Sequence, residues 1–215
     1  MSKLFDGFIF DVDGTLTSTN QLIFDTFNFI AKKYLDRIFT DEEIIAMFGP
    51  TEDVVLKKLC GEKYVEARSE YYRYYSDNHW KAKLYPGIKE ILKYLKSKNY
   101  PLGIFTGKGK ESTAITLKKL EVNHYFDLIV TGDDVANHKP SAEGILKFVN
   151  HFGLKNERVL MIGDSVSDVK ASKEAGIKVA SALWDSYGHK EVENSQSDYY
   201  FHSVKELKNF ILEVT

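Results

Sequence analysis

Phe8-Ile9-Phe10-Asp11-Val12-Asp13-Gly14-Thr15 decides how this chain is read, because an uninterrupted apolar run ends on two carboxylates. The run has the composition of a buried strand. An isolated buried carboxylate is costly, so a pair at a strand's mouth calls for a chemical reason. Alternation along extended backbone sends Asp11 and Asp13 to the same side, and Gly14 then lets the chain turn sharply beside them. Two acids in different environments can divide the work: one binds a divalent cation and attacks as a nucleophile, while its neighbour moves protons. Taken alone, the same residues also read as an Asp-rich turn whose first Asp caps a helix.

Three later apolar runs bear on that choice. Leu102-Gly103-Ile104-Phe105 leads into Thr106-Gly107-Lys108-Gly109-Lys110, and Leu128-Ile129-Val130 into Thr131-Gly132-Asp133-Asp134 and then His138-Lys139-Pro140. Val159-Leu160-Met161-Ile162 ends in Gly163-Asp164-Ser165-Val166-Ser167-Asp168. Acids thus follow the first and fourth runs, and a hydroxyl and a lysine, both suited to phosphate, follow the second and third. From Pro86 onward, apolar runs at 101–106, 127–131, 158–162 and 177–181 alternate with helical periodicities. These are carried by Ile88, Ile91, Leu92 and Leu95; by Ile115, Leu117 and Leu120; and by Ile145, Leu146, Val149 and Phe152. The alternation predicts an α/β fold, a doubly wound parallel sheet with helices on both faces and ligands beyond the carboxyl ends of the strands.

Residues 17–83 lack a convincing buried strand. Phe24, Phe27, Ala31 and Tyr34 mark one helix; Thr40 with Glu43 forms a capping-box pattern ahead of a second through Ile44, Ile45 and Phe48, which Gly49-Pro50 breaks. Thr51 is placed to cap a third through Val54, Val55 and Leu59, and a tyrosine-rich segment from Glu62 to Trp80 follows. Near the C-terminus, Val204, Leu207, Phe210 and Ile211 predict an amphipathic helix. The expected organisation is a core of residues 1–16 and 84–215 with an all-helical insertion at 17–83, hinged near Ser18-Thr19-Asn20.

The net charge of −2 over 215 residues, with lysines scattered among acids, excludes a typical polyanion binder, so no nucleic acid is expected as partner. Cys60 stands alone, which rules out an internal disulfide and fits a reducing cytoplasm. Its expected role is that of a small core hydrophobe. Met1 to Asp6 place acid where a leader would be apolar, and no run reaches the ~18 residues of a membrane helix, so a cytoplasmic protein with no membrane partner is expected. Oligomeric state has no signal in the sequence.

The four strand endings resemble, in order and context, the signatures of the haloacid dehalogenase-like hydrolase superfamily in its phosphatase branch. They are Asp11-x-Asp13-Gly14-Thr15, Thr106 at a strand end, Lys139 before Pro140, and Gly163-Asp164-x-x-x-Asp168; the helix end Ala171-Ser172-Lys173-Glu174-Ala175-Gly176 is similar too. Dehalogenase members lack the second acid, so Asp13 favours phosphoryl transfer. The resemblance implies that Asp11 attacks phosphorus to give an aspartyl-phosphate and that Asp13 protonates the leaving oxygen and later deprotonates water. It implies that Thr106 and Gly107 donate to phosphoryl oxygens and that Lys139 offsets the accumulated charge. Mg2+ is expected on Asp11, Asp164 and the main-chain carbonyl of Asp13, with Asp168 at the metal site orienting a ligand or water more than ligating directly.

Residues 17–83 resemble the family's helical cap, and Phe48-Gly49-Pro50-Thr51-Glu52-Asp53 its loop that reaches the leaving group, which makes Gly49, Pro50 and Thr51 expected substrate contacts. Lys108 either touches substrate or sits in water, Lys110 sits in water, and His138 is turned away from Lys139. Tyr71, Tyr72, Tyr74 and Tyr75 are expected to serve the cap's own core and surface. The phosphoglycolate phosphatase-like group is the nearest resemblance, with pyrophosphate hydrolases beside it. Sugar-phosphate mutases with this cap carry a histidine about a dozen residues after the nucleophile, where Asn20-Gln21-Leu22-Ile23 has none. The implied activity is Mg2+-dependent hydrolysis of a small phosphorylated metabolite, with phosphoglycolate, pyrophosphate, a sugar phosphate and a nucleotide monophosphate all open. A non-catalytic phosphometabolite binder should have lost one of Asp11, Asp13, Lys139 or Asp164, and all four are present.

Overall fold

The computed structural model of the protein describes residues 3–184 and 189–215; Met1 and Ser2 of the N-terminal reading lie outside them. Phe8-Ile9-Phe10 falls in a fully buried strand, β1 (Gly7–Phe10). From it the chain leaves through β2 (Thr17–Ser18) and returns through β3 (Lys83–Leu84), a short antiparallel ribbon with Thr17 opposite Leu84. Neither strand is legible in sequence, since two residues are too few to show alternation. The remaining strands are β4 (Leu102–Phe105), β5 (Leu128–Val130), β6 (Val159–Gly163), β7 (Lys178–Ala182) and β8 (Tyr199–Phe201). They join β1 in a parallel sheet of order β5-β4-β1-β6-β7-β8, with Phe8 opposite both Leu102 and Leu160. Strand order runs outward on both sides of β1. The crevice beyond the carboxyl ends of β4, β1 and β6 is thus a topological switch point, where open α/β sheets bind ligands.

Between the ribbon strands lie α1 (Asn20–Leu35), α2 (Asp41–Ile45), α3 (Glu52–Cys60) and α4 (Tyr64–Asp77). After β3 come α5 (Ile88–Ser97), α6 (Lys110–Lys119), α7 (Glu143–Phe152), α8 (Val166–Ala175), α9 (His189–Glu193) and α10 (Val204–Val214). Alternation in β1 assigns its side chains to two cores. Phe8 and Phe10 pack with Leu102, Ile104, Leu160 and Ile162 against α5 and α10, while Ile9 packs with Phe105 and Met161 against α7 and α8. Each such side chain, fully buried, contributes about 1.5–3 kcal/mol. A third cluster holds α1 to α4 together through Phe24, Phe27, Ile30, Ile44, Leu56, Tyr71 and Tyr75, with Cys60 packed at its margin.

The capping box of Thr40 with Glu43 forms, but α2 ends at Ile45, short of the expected Phe48, because the chain tightens there: Met47 and Phe48 donate to the carbonyls only three residues back. Pro140 does not start a helix; α7 begins three residues later at Glu143, after a turn in which Ser141 N–H donates to the His138 carbonyl. The helical insertion rests on α6. Tyr75 Oη and Thr116 Oγ1 lie 2.8 Å apart, Arg68 bridges Asp53 (2.9 Å) and Glu111 (2.6 Å), and Ile115 packs into the insertion's core.

Candidate active site

Each strand end in the switch-point crevice delivers one group. Asp11 follows β1, its N–H held by the Ile162 carbonyl at 2.9 Å; Thr106 follows β4, and Asp164 follows β6. Lys139 comes from the long loop after β5. Its Nζ donates to Asp11 Oδ1 at 3.0 Å and to Asp168 Oδ1 at 2.5 Å, above the Phe105 ring. Burial works against this ammonium, yet the Asp11 and Asp168 carboxylates overcome it and hold the lysine's pKa above its usual range.

Asp168 is fully buried. Its other oxygen accepts from Ser165 N–H (3.1 Å) and Ser165 Oγ (2.6 Å), a capping box at the start of α8. Both carboxylate oxygens are therefore engaged, so this acid aims Lys139. Ser165-x-x-Asp168 was the available signal for that arrangement, though Ser165 was not singled out.

Asp13 points into the same space as Asp11. Thr19 Oγ1 donates to its Oδ1, and Lys108 Nζ donates to its Oδ2 at 3.2 Å. Of the two alternatives open for Lys108, solvation is excluded, since its side chain is 2% exposed. It sits between Asp13 and Glu52 Oε1 (3.6 Å) and over the Tyr75 ring at 4.9 Å. Burial penalises its charge, but Asp13, Tyr75 and Glu52 keep its pKa raised. Lys110, by contrast, is exposed and lies 3.6 Å from Asp134.

Gly14 has φ +79°, and a Cβ there would run into the Asp164 carboxylate. The glycine is what lets Asp164 approach, and Thr15 Oγ1 then donates to Asp164 Oδ1 at 3.0 Å. One oxygen from each of Asp11, Asp164 and Asp168 lies within 4.8 Å of the others. Burial, with like charge alongside, pushes Asp11 up to about 6 and Asp164 well above the carboxylate range. That donor set fits a hard divalent cation, which relieves the repulsion and prefers oxygen ligands. With Asp168 committed to Lys139 and Ser165, the acids left for a cation are Asp11 and Asp164.

These groups form the floor of one cavity of about 650 Å³. Gly49, Pro50, Thr106, Gly107 and Lys108 all line it. Thr51 does not: its side chain is buried against Gly109 and Gly132, its hydroxyl makes no capping bond to α3, and the lining passes from Pro50 to Glu52. Packing against two glycines draws the hydroxyl from both expected tasks. Glu52 takes a role that sequence did not suggest. Its carboxylate accepts from Gly109 N–H (2.6 Å) and Ser112 Oγ (2.5 Å), so an acid of the insertion docks on the first turn of α6. The roof is apolar, built from Ile23, Phe24 and Phe27 of α1 with Ile45, Met47, Phe48 and Val55. In sequence, Phe24 and Phe27 read only as a packing stripe.

The chain is similar to known proteins over most of its length. Residues 8–182 match the sequence model of the haloacid dehalogenase-like hydrolases. Pyrophosphatase PpaX of Bacillus cereus is 30% identical over 200 residues, covering 93% of each chain, and that of Halalkalibacterium halodurans is 32% identical over 204 residues, covering 94% of this chain and 95% of the relative. The crystal structure of a predicted phosphoglycolate phosphatase from Haemophilus somnus superposes with a TM-score of 0.85 at 23% identity, covering 96% of this chain and 98% of the other, a likeness of fold. Among the described residues, no helix is long and apolar enough to cross a membrane.

Proposed function

Because the chain belongs to the haloacid dehalogenase-like hydrolases, we propose that it is a Mg2+-dependent cytoplasmic phosphatase that hydrolyses a small phosphomonoester through an aspartyl-phosphate on Asp11. The observation that carries this reading is the convergence of Asp11, Asp13, Thr106, Lys139 and Asp164 on one cavity floor. An Asp11 oxygen attacks phosphorus while the bond from phosphorus to the ester oxygen breaks. Asp13 gives its proton to the departing alkoxide, then takes one from the water that attacks the acyl phosphate, which releases phosphate and restores Asp11. Thr106 and the Gly107 backbone donate to the phosphoryl oxygens, and Lys139, aimed by Asp168, opposes the charge that builds there.

Asp11 and Asp164, with the Asp13 carbonyl, are the groups for Mg2+, which when bound supplies charge neutralisation and orientation of the phosphoryl group. Pyrophosphate hydrolysis is the second reading, favoured by the name that relatives of 30–32% identity carry. The test is phosphate release from a panel of small esters and pyrophosphate. Turnover should stop in chelator, return with Mg2+, and vanish in Asp11→Asn, whose amide is near-isosteric but cannot attack phosphorus. Retention of more than about a tenth of parental activity by Asp11→Asn, a barrier raised by less than about 1.4 kcal/mol, sinks the assignment.

A further inference from the structure

The phosphoryl site and the apolar roof share one cavity, and the roof has nothing to offer a charged leaving group. Ile23, Phe24, Phe27, Met47, Phe48 and Val55 face the carboxylate floor. Phe48 is 48% exposed although it is a large apolar side chain, and its ring lies 6.4 Å from that of Phe24 at a tilt of 30°. Phe48 thus presents an exposed apolar face in the cavity lining beside Phe24, which is itself packed in the insertion's core and only 2% exposed.

Among the described residues, the only lysines or arginines in the lining are Lys108 and Lys139. Lys139 is shared by Asp11 and Asp168, and Lys108 by Asp13 and Glu52. Neither has positive charge to spare, and Glu52 and Glu191 add acid to the same lining. A carboxylate or second phosphate above the floor would lose water to hydrocarbon and gain no cation. Toward a sugar the apolar roof residues offer no hydrogen-bonding side chain; the uncharged polar side chains of the lining are Asn20, Thr106, Ser165 and Ser167. The volume of about 650 Å³ lies in the range of small-molecule pockets, leaving room above a phosphoryl group for a sizeable alcohol.

Resting on the phosphatase reading above, we propose that the substrate is a phosphomonoester of an uncharged apolar alcohol, aliphatic or aromatic, whose hydrocarbon part packs under the roof between α1 and Phe48. The alcohol leaves as the alkoxide protonated by Asp13, and no second anionic group is recognised.

The experiment compares kcat/KM for methyl, butyl and benzyl phosphate with that for phosphoglycolate and pyrophosphate, using the full chain with Mg2+. Burying a methylene is worth about fourfold, so butyl phosphate should exceed methyl phosphate by about fiftyfold. Benzyl phosphate should exceed phosphoglycolate and pyrophosphate by at least about tenfold. Phe48→Lys, at a half-exposed position that the fold tolerates, should lower the butyl-to-methyl ratio and raise the relative rate on pyrophosphate. Equal rates on methyl and butyl phosphate, a preference for phosphoglycolate or pyrophosphate, or a butyl-to-methyl ratio unmoved by Phe48→Lys overturns the leaving-group assignment and leaves the phosphatase reading standing. No turnover of any of the five overturns the phosphatase reading, and this proposal with it.

Discussion

Asp164 reaches Asp11 only because residue 14 has no Cβ. Gly14→Ala would meet the Asp164 carboxylate and also strain a backbone at φ +79°. Its expected effect, on the proposed mechanism, is a loss of at least about a hundredfold in turnover, since a displacement near 1 Å costs that much. Folding should be weakened by about 1–3 kcal/mol, read from the urea midpoint. Unchanged turnover would show that Asp164 has room to move without harm. At this scale Asp11, Asp13, Lys139 and Asp164 were legible because each follows an apolar run or sits beside a proline in a short motif. The pairing of Lys108 with two acids and the role of Glu52 were not. Whether a lysine is solvated or shared between two acids depends on what lies opposite, and Asp13 and Glu52 are far from it in sequence.

Helix α8 joins a capping box to the positioning of a lysine. Ser165 caps the helix through Asp168 N–H (3.2 Å) and also donates to the Asp168 carboxylate that aims Lys139. Ser165→Ala should cost about 1 kcal/mol through the lost cap, a fall in Tm of about 2–4 °C for a chain of this size. On the proposed mechanism, in which Lys139 opposes charge that develops at the transition state, it should also lower kcat more than it raises KM. Thermal unfolding and initial rates on one ester check both parts. A full Tm loss with no change in kcat would confine Ser165 to helix capping.

At the scale of the molecule, the insertion closes on α6 through a buried polar contact whose charge state matters. His79 Nε2 lies 3.2 Å from Thr116 Oγ1, and the ring meets Tyr75 edge-on. Burial, with Lys108 and Lys119 adding like charge, pushes its pKa down to about 4 from an ordinary 6.5. The unfolded chain thus binds the proton more readily. The stability held by neutral His79 is complete above pH 6.5 and falls as pH drops from 6.5 to 4, by roughly 3 kcal/mol at most. Asp11 also titrates in that window, so the readout is the difference between the parent and His79→Gln in urea midpoint against pH. The variant should be weaker at neutral pH and less sensitive between pH 6.5 and 4. Parallel curves would show that the histidine ionises without cost to closure.

By itself the sequence determined which residues gather on the floor and the class of fold. Apolar runs of four or five residues alternating with helical periodicities admit little besides a parallel sheet, and an acid, hydroxyl or lysine directly after a strand must lie at its carboxyl end. The β2–β3 ribbon and the three-residue β8 escaped it, because such short strands take their hydrogen bonds from partners distant in the chain, and the early end of α2 escaped it because the chain tightens there without a break in the apolar pattern. The roof was decided only by tertiary structure. Phe24 and Phe27 carry the same helical spacing whether they face a core or a cavity, and what they face depends on how the insertion docks through Glu52, Arg68 and Tyr75 onto α6. Periodicity marks which face of a helix is apolar; burial against a particular partner is a property of the packed molecule.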